Sequence, residues 1–441
     1  MSTAPRPLAG IVSGWNAARE GASLHALVAN LYPLCRSITG DGIRESLRRL
    51  SNEAPISIHE VPSGTKVFDW VVPLEWNIRD AYVRSRRGER VIDFGSHNLH
   101  VVSYSVPVHR RVPMSELREH LFTRPDQPDV IPYRTSYYHE TWGFCLSQRQ
   151  LDQLTDDEYE VCIDSTLEPG HLSYGECFIR GRTDREVLVS CHSCHPSLCN
   201  DNLSGMAVSA RLAALLSQMD LRYSYRFLWI PGTIGAITWL ALHEEGLARI
   251  AHGLVLSCLG DHGAFTYKRS RQGCAEIDRV VEYVLRRGSR EPTVLDFAPT
   301  GYDERQYCSP GINLPVGCLM RTPHGQYREY HTSADNLEFV TGEALADSLL
   351  QLVHIVEALE TNQRYISVNQ KCEPQLGRRG LYHAIGGPNS SSLEEAMLWL
   401  LNYSDGSQTL LDIAGRSRMP LDVLAEGAGL LAAHGLVTAV E

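Results

Sequence analysis

Between Val187 and Arg287, short apolar runs alternate with stripes of helical period, and no other feature restricts the fold as much. Val187–Cys191, Tyr225–Ile230 and Gly253–Leu259 read as buried strands. Leu203–Gln218, Ile234–Glu245 and Ala275–Arg287 read as the helices that follow them. In the first of these, Met206, Ala210, Leu212, Leu215 and Leu216 lie close to one face. A strand over Leu314–Met320 and a helix over Thr341–Glu360 continue the series. Strands joined by helical crossovers pair in parallel, so the expected class is α/β, a mostly parallel sheet flanked by helices. Such a sheet gathers its chemistry beyond the carboxyl ends of its strands.

The remaining segments attach to this frame. Leu24–Leu50 reads as two helical pieces, broken by Pro33 and the turn Thr39-Gly40-Asp41-Gly42. Pro55–Pro113 has a different texture: Ile56–Val61 and Leu99–Val106 read as strands between Gly and Pro punctuation. Met114–Leu121 reads as a short helix, and Tyr159–Asp164 and Gly175–Arg180 as further strands. After Asn362 the loops Gly377-Arg-Arg-Gly380 and Gly386-Gly-Pro-Asn389 precede helices over Leu393–Leu401, Leu410–Ala414 and Leu421–His434, then a strand over Gly435–Val440. Three short helices and a strand are the pattern of a winged helix. The expected division is a main domain over 1–54 and 131–365, an inserted β-rich subdomain over 55–130, and a winged-helix domain over 366–441.

Charge narrows the partners. The chain carries a net charge of −11, and residues 393–441 hold seven acids against two bases, Arg416 and Arg418. A DNA reader presents a basic face, so the winged helix is expected to dock a protein partner or a second copy, and nucleic acid is not expected. Met1-Ser-Thr-Ala-Pro-Arg-Pro7 has no apolar core of signal-peptide length, and no apolar run reaches membrane-spanning length. The 12 cysteines are scattered through apolar segments and read as reduced thiols of a cytoplasmic protein.

The most polar strand-to-helix junction runs from His192 to Gly205. Three readings of it stay open. His192 and Asp201 form a ligand pair that suits zinc. Cys191-His-Ser-Cys194-His195 matches the C-x-x-C-H pattern of covalent haem, disfavoured because no secretory signal precedes it and no second copy occurs. A turn of structural polar residues with small buried thiols is the third. Four other segments bring polar groups to strand ends: Pro231-Gly-Thr-Ile-Gly235, Leu259-Gly-Asp261-His262, Gly301-Tyr302-Asp303-Glu304-Arg-Gln-Tyr307 and Tyr330-His331-Thr-Ser-Ala-Asp335-Asn336. An isolated Asp after a strand is usually a helix cap. Several such groups in one α/β sheet can converge at one edge, which capped loops alone do not predict.

These segments resemble the metallo-aminopeptidase family that uses co-catalytic zinc ions. In that family one strand ends in His-x-Asp and an Asp-Asn/Asp-x-Ser-Gly segment opens the next helix. A Glu-Glu pair follows the next strand, an Asp another, and Tyr-His-Thr-x-x-Asp comes late. The likeness runs from about Val187 to Val340. More closely, the whole chain resembles bacterial aminopeptidase-like proteins found near polysaccharide or natural-product biosynthesis genes. Cys194-His-Pro-Ser-Leu-Cys-Asn-Asp-Asn-Leu-Ser-Gly205 and Asp303-Glu-Arg-Gln-Tyr-Cys-Ser-Pro-Gly311 carry that likeness.

The resemblance implies one or two zinc ions held by His192, Asp201, Asp261 and His331, with Asp201 in the bridging place. His195, Tyr302, Tyr307 and Tyr330 would line the site. It also marks departures. Gly232-Thr233-Ile234 stands where the family has Glu-Glu, the general base and a zinc ligand, and Cys194 stands where an Asp orients the first histidine. Glu244-Glu245 falls about three helical turns too late and reads as surface charge. The base is therefore expected from elsewhere: Glu304, with Asp303 behind it, unless Glu304 is an ion-pair partner of Arg305. On this reading the chain hydrolyses an amide in a small molecule or short peptide. The rival is a degraded hydrolase that binds a ligand while the winged helix docks partners.

Overall fold

The computed structural model describes residue 12, residues 14–381 and residues 392–440. The Met1–Pro7 segment and the expected Gly386–Asn389 loop lie outside them. The chain forms two compact units, Met1–Val353 and His354–Glu441.

In the first unit, helices α1 (Ala17–Leu31) and α2 (Asp41–Leu50) bury the stripes Leu24, Val28, Leu31 and Ile43, Leu47, Leu50. The strands that follow are β1 (Ser57–Pro62), β2 (Glu75–Arg84), β3 (Arg90–Asp93), β4 (Val108–Pro113), β5 (Glu158–Glu168) and β6 (His171–Ile179). Next come β7 (Glu186–His192), helix α3 (Gly205–Leu216), β8 (Ser224–Ile230), helix α4 (Ile234–Leu242) and β9 (Ile250–Leu256). Strands β10 (Thr266–Lys268), β11 (Thr293–Leu295) and β12 (Val316–Met320) complete the unit's larger sheet.

That sheet has eight strands in the order β1-β6-β8-β7-β9-β12-β10-β11. Its centre, β8-β7-β9-β12, is parallel. On one flank β1 and β6 run antiparallel; on the other, β10 is antiparallel to β12 and parallel to β11. The sheet is thus mixed around a parallel core. Every residue of β7 is buried, which is why it reads as an unbroken apolar run rather than an alternation. The connection from β7 through α3 leads to β8 on one side, and the connection from β8 through α4 leads to β9 on the other. The strand order therefore reverses at β7, and such a reversal opens a crevice beyond the strand's carboxyl end.

The four-stranded sheet that holds β2, β3 and β4 also draws on residues beyond 55–130. This sheet, β3-β2-β5-β4, is antiparallel and takes its long strand β5 from residues 158–168. Strand β1 leaves the segment to join the edge of the large sheet. Alternation of side chains identifies a strand and its buried face but carries nothing about which sheet it joins.

In the second unit, a three-stranded antiparallel sheet places Arg364–Ser367 between Asp405–Thr409 and Val437–Val440. Helices Ser392–Tyr403, Leu410–Ser417 and Leu421–Ala433 make it a winged helix. Thr409 and Asp412 close a capping box on the second helix. Two of the three strands were not legible: each is four or five residues long and only partly buried. Among the described residues no helix is long and apolar enough to cross a membrane. All 12 cysteines are free thiols.

Candidate metal centre

His192 is the last residue of β7, at the carboxyl edge of the parallel core. The chain then turns and enters α3 through a wide helical turn over Cys199–Ser204, where Asp201 and Asn202 leave helical dihedrals. This irregularity aims the Asp201 carboxylate back at the strand end instead of along the helix. Asp201 is completely buried. Its Oδ1 lies 2.7 Å from His192 Nε2, and its Oδ2 lies 3.0 Å from His331 Nε2 and 4.0 Å from His195 Nε2. Ligand atoms of His192, His195 and Asp201 all lie within 4.8 Å of one another. Three imidazoles therefore surround one carboxylate, with His331 arriving from 130 residues away.

The surroundings fix these rings. Tyr302 stacks on His192, with ring centroids 4.4 Å apart, and its hydroxyl donates to Asp201 Oδ1 at 2.9 Å. Tyr330 stacks on His331 at 3.9 Å. Tyr133 meets both His195 and His331 edge-on at 5.1 Å. Asn202 ties three elements together: its amide donates to the carbonyls of Leu256 (2.9 Å) and His192 (3.3 Å), and its oxygen accepts from the Gly205 and Cys258 N–H groups. A Cβ on Gly205 would sit 2.4 Å from that oxygen, so only glycine fits there. Asp335 accepts from the N–H groups of Asn200 (2.5 Å) and Asp201 (3.0 Å). The buried Arg36 guanidinium donates to the His195 carbonyl at 3.0 Å and to that of Leu31 at 2.7 Å, pinning the His195 loop. Ser197, Thr233, Cys258 and His331 all hold positive φ in these loops, a concentration of backbone strain of the kind found at functional sites.

Electrostatics prepare the cluster for a cation. Burial opposes the charge of Asp201, but the imidazoles of His195, His192 and His331 outweigh it and hold the carboxyl well below its ordinary range. Burial lowers His195 to about 3, so that ring is neutral. Burial likewise pushes the Tyr302 hydroxyl far up, which keeps it a donor. Neutral imidazole and ionised carboxylate are the protonation states that a metal requires. A donor set of imidazole nitrogens with one carboxylate fits zinc.

Other expected site residues have different places. Asp261 is held by hydrogen bonds: Oδ1 accepts from the Thr322 hydroxyl (2.7 Å) and the Gly263 N–H (2.6 Å), and Oδ2 from the side-chain amide of Asn200 (3.0 Å), the residue before Asp201. Tyr307 is completely buried and reaches Ser190 at 2.9 Å, in the core rather than at the site. Cys194 accepts the Gly232 N–H at 3.3 Å and lies 3.7 Å from His195 Nδ1; burial raises its thiol to about 12. Cys191 is buried beside Ser209. Glu244 and Glu245 are exposed.

The two candidate bases separate. Glu304 is buried and ion-paired with Lys268, not with Arg305. The Lys268 ammonium also donates to the carbonyls of Thr300 (2.6 Å) and Ala298 (3.3 Å). Asp303 instead accepts the Thr233 N–H at 2.7 Å, so a carboxylate reaches the very turn that lacks Glu-Glu, but from another segment. Burial raises Asp303 to about 6. Asp303 also lines a cleft of about 340 Å³ with His192, His195, Tyr302 and Thr233; Glu304 is not among its lining residues. Removing one member of a buried ion pair is expected to destabilise by about 3–5 kcal/mol. Glu304→Gln should show this loss in urea unfolding, and Glu304→Gln combined with Lys268→Met should recover most of it. A single variant that unfolds at the wild-type midpoint would rule out a structural role for the pair.

Asn202, Asp335, Tyr133 and Arg36 were not singled out from the sequence. Asn202 and Asp335 sit in segments that were, but an Asn or Asp near a helix start is first read as a cap. Arg36 and Tyr133 belong to no pattern.

Comparison with known proteins agrees with this architecture. A family model described as "Domain of unknown function (DUF4910)" matches residues 25–362, and one described as winged helix-turn-helix matches residues 363–439. A Clostridium acetobutylicum protein provisionally named for polysaccharide biosynthesis, with an aminopeptidase-like domain, is 53% identical over 405 residues, covering 92% of this chain and 93% of its own. A crystal structure from Clostridium acetobutylicum with a provisional peptidase name superposes with a TM-score of 0.92 at 49% identity, over 98% of this chain and 100% of that one. A zinc aminopeptidase from Bacillus subtilis shares the fold alone, with a TM-score of 0.56 at 14% identity over 78% of this chain and 95% of its own.

Proposed function

The chain belongs to the DUF4910 family, and on that premise we propose that it is a zinc-dependent hydrolase of an amide, aminopeptidase-like or acting on N-acyl or aminoacyl substrates. The observation that carries this reading is the convergence of His192, His195 and His331 on Asp201, beside a cleft that His192 and His195 line together with Asp303. Those four side chains would hold one ion; Asp261, engaged elsewhere, leaves little for a second. Bound zinc would acidify a water and polarise the amide carbonyl.

Asp303 does the proton work. With its carboxyl near 6, it accepts a proton from the attacking water and returns it to the leaving amine. Its bond from the Thr233 N–H holds one oxygen in place. Tyr302 orients His192 by stacking and Asp201 by hydrogen bonding. The products are a free amine and an acid. The substrate is a small molecule or short peptide of polysaccharide or natural-product biosynthesis, in keeping with the relative's name, and the protein acts in the cytoplasm. The winged helix docks a protein partner or a second copy, consistent with its acidic balance.

Release of amine from a panel of aminoacyl and N-acyl amides, measured with chelator and with added Zn²⁺, tests the reading. Turnover abolished by chelation and restored by zinc is expected. Protein carrying a full equivalent of zinc that cleaves none of the panel would favour a ligand-binding protein instead, the reading to which the missing Glu-Glu pair points.

A further inference from the structure

Arginines in the first unit are typically matched by carboxylates. Arg226 pairs with Glu176 and Glu186, Arg44 with Glu60 and Glu75, and Arg321 with Asp347. Arg305 differs. It lines the cleft with His192, His195 and Asp303. Its Nε is buried without a hydrogen-bond partner. Among the described residues no carboxylate lies within ion-pair distance of it: its neighbour Glu304 is taken by Lys268, and Asp303, which feels its charge, accepts the Thr233 N–H.

A guanidinium is always charged, and leaving one partly desolvated and unpaired is unfavourable. Its planar fork matches a carboxylate or phosphate in two parallel hydrogen bonds. Asp303 and Arg305 are the only carboxylate and the only Lys or Arg side chain among the residues lining the cleft. Their charges cancel, and a divalent cation beside Asp201 would leave the cleft floor positive. At the lip, Trp70 and Tyr138 meet edge-on at 5.6 Å and remain 38% and 52% exposed. The lip offers apolar ring faces and the floor a cation, so the charge complement must come with the ligand.

We infer that Arg305 is an anion-reading residue, and that the cleft takes substrates bearing a carboxylate or phosphate next to the amide. The inference rests on the cleft being the substrate site, as proposed above, but not on turnover.

Binding of N-acetylaspartate, N-acetyl-O-phosphoserine and N-acetylasparagine to the full chain, followed by saturation-transfer NMR, tests it. Titrations are run on zinc-loaded and metal-stripped protein, so that an anion bound by the metal alone is recognised. At least one acidic probe should bind about tenfold or more tightly than the neutral one in both forms, as expected for a charge-assisted bidentate pair. Which acidic probe binds tells carboxylate from phosphate. Arg305→Gln should bring acidic and neutral probes within about threefold of each other, and Arg305→Lys should keep part of the gap. Circular dichroism of both variants reports whether they fold, and Arg305→Lys keeps the test open if Arg305→Gln does not. Equal binding of all three probes to the wild type would overturn the inference, as would discrimination that survives Arg305→Gln or vanishes on metal removal. Discrimination without cleavage of any amide would keep the anion subsite and discard the hydrolase. Cleavage without discrimination would do the reverse.

Discussion

Asp303→Asn is expected to lower kcat/KM by about 10²–10⁴-fold while leaving bound zinc unchanged. Asparagine keeps the shape and can still accept the Thr233 N–H, so the turn stays in place. What it loses is the ability to take a proton. The same carboxyl sets the acid limb of the pH profile. A base works only when deprotonated, and burial raises Asp303 to about 6. Activity should therefore be present above that pH and fall about tenfold per unit below it. The asparagine variant should lack this limb. Initial rates of the wild type and Asp303→Asn across pH 5–8 check both points. A variant that retains a third of the wild-type rate would remove Asp303 from catalysis and reopen the question of the base.

Asp201→Ala is expected to reduce bound zinc to less than about a tenth of an equivalent after dialysis, because each ligand lost from a small donor set weakens the site steeply. Asp201 is the most sensitive position: its two oxygens contact His192 and His331 and lie beside His195, whereas each imidazole meets the carboxylate through one nitrogen. His192→Ala should act in the same direction. Asp335→Asn, which alters the support of the Asn200 and Asp201 peptides but no ligand, should cost about 10–100-fold in zinc affinity and not abolish binding. Elemental analysis and competition with a chelating dye measure these steps. Metal bound only by the native state also stabilises it: free zinc at about a thousand times its Kd contributes about 4 kcal/mol. Chelation should therefore lower the unfolding temperature of the wild type and leave that of Asp201→Ala unmoved. Full zinc occupancy in Asp201→Ala would show that the imidazole cluster is not the metal site.

The two bases illustrate how far a one-dimensional pattern reaches. Asp303 and Glu304 are adjacent, both acidic, and equally placed after Gly301-Tyr302. Which one faces the cleft depends on backbone direction over two residues and on Lys268, which stands 36 positions earlier. The sequence put Glu304 first with Asp303 behind it; the proposal made above takes them in the other order, because Asp303 lines the cleft and Glu304 pairs with Lys268. His195 was similarly ambiguous. It lies three residues after His192, and only the turn before Asp201 brings its ring to 4.0 Å from the carboxylate. His192, Asp201 and His331 were legible because each sits in a segment with its own local signature: a strand end, an Asn-Asp-Asn helix entry, a Tyr-His-Thr run.

By itself the sequence determined what hydrophobic periodicity encodes locally: the buried β7 run, the helices on either side of it, the stripes of α1 and α2, and the three helices of the winged unit. Burying those apolar faces forces a covered sheet, and a covered parallel core forces its polar loops to one edge. The tertiary structure alone decided partners. It sent β1 to one sheet and β5 to the other, gave Asp261 to Thr322, matched Glu304 with Lys268, and set Asp303 on the Thr233 turn. The physical reason is range: periodicity is a property of neighbours along the chain, whereas ion pairs, strand pairings and metal ligands are settled by groups tens to hundreds of residues apart competing for the same buried space.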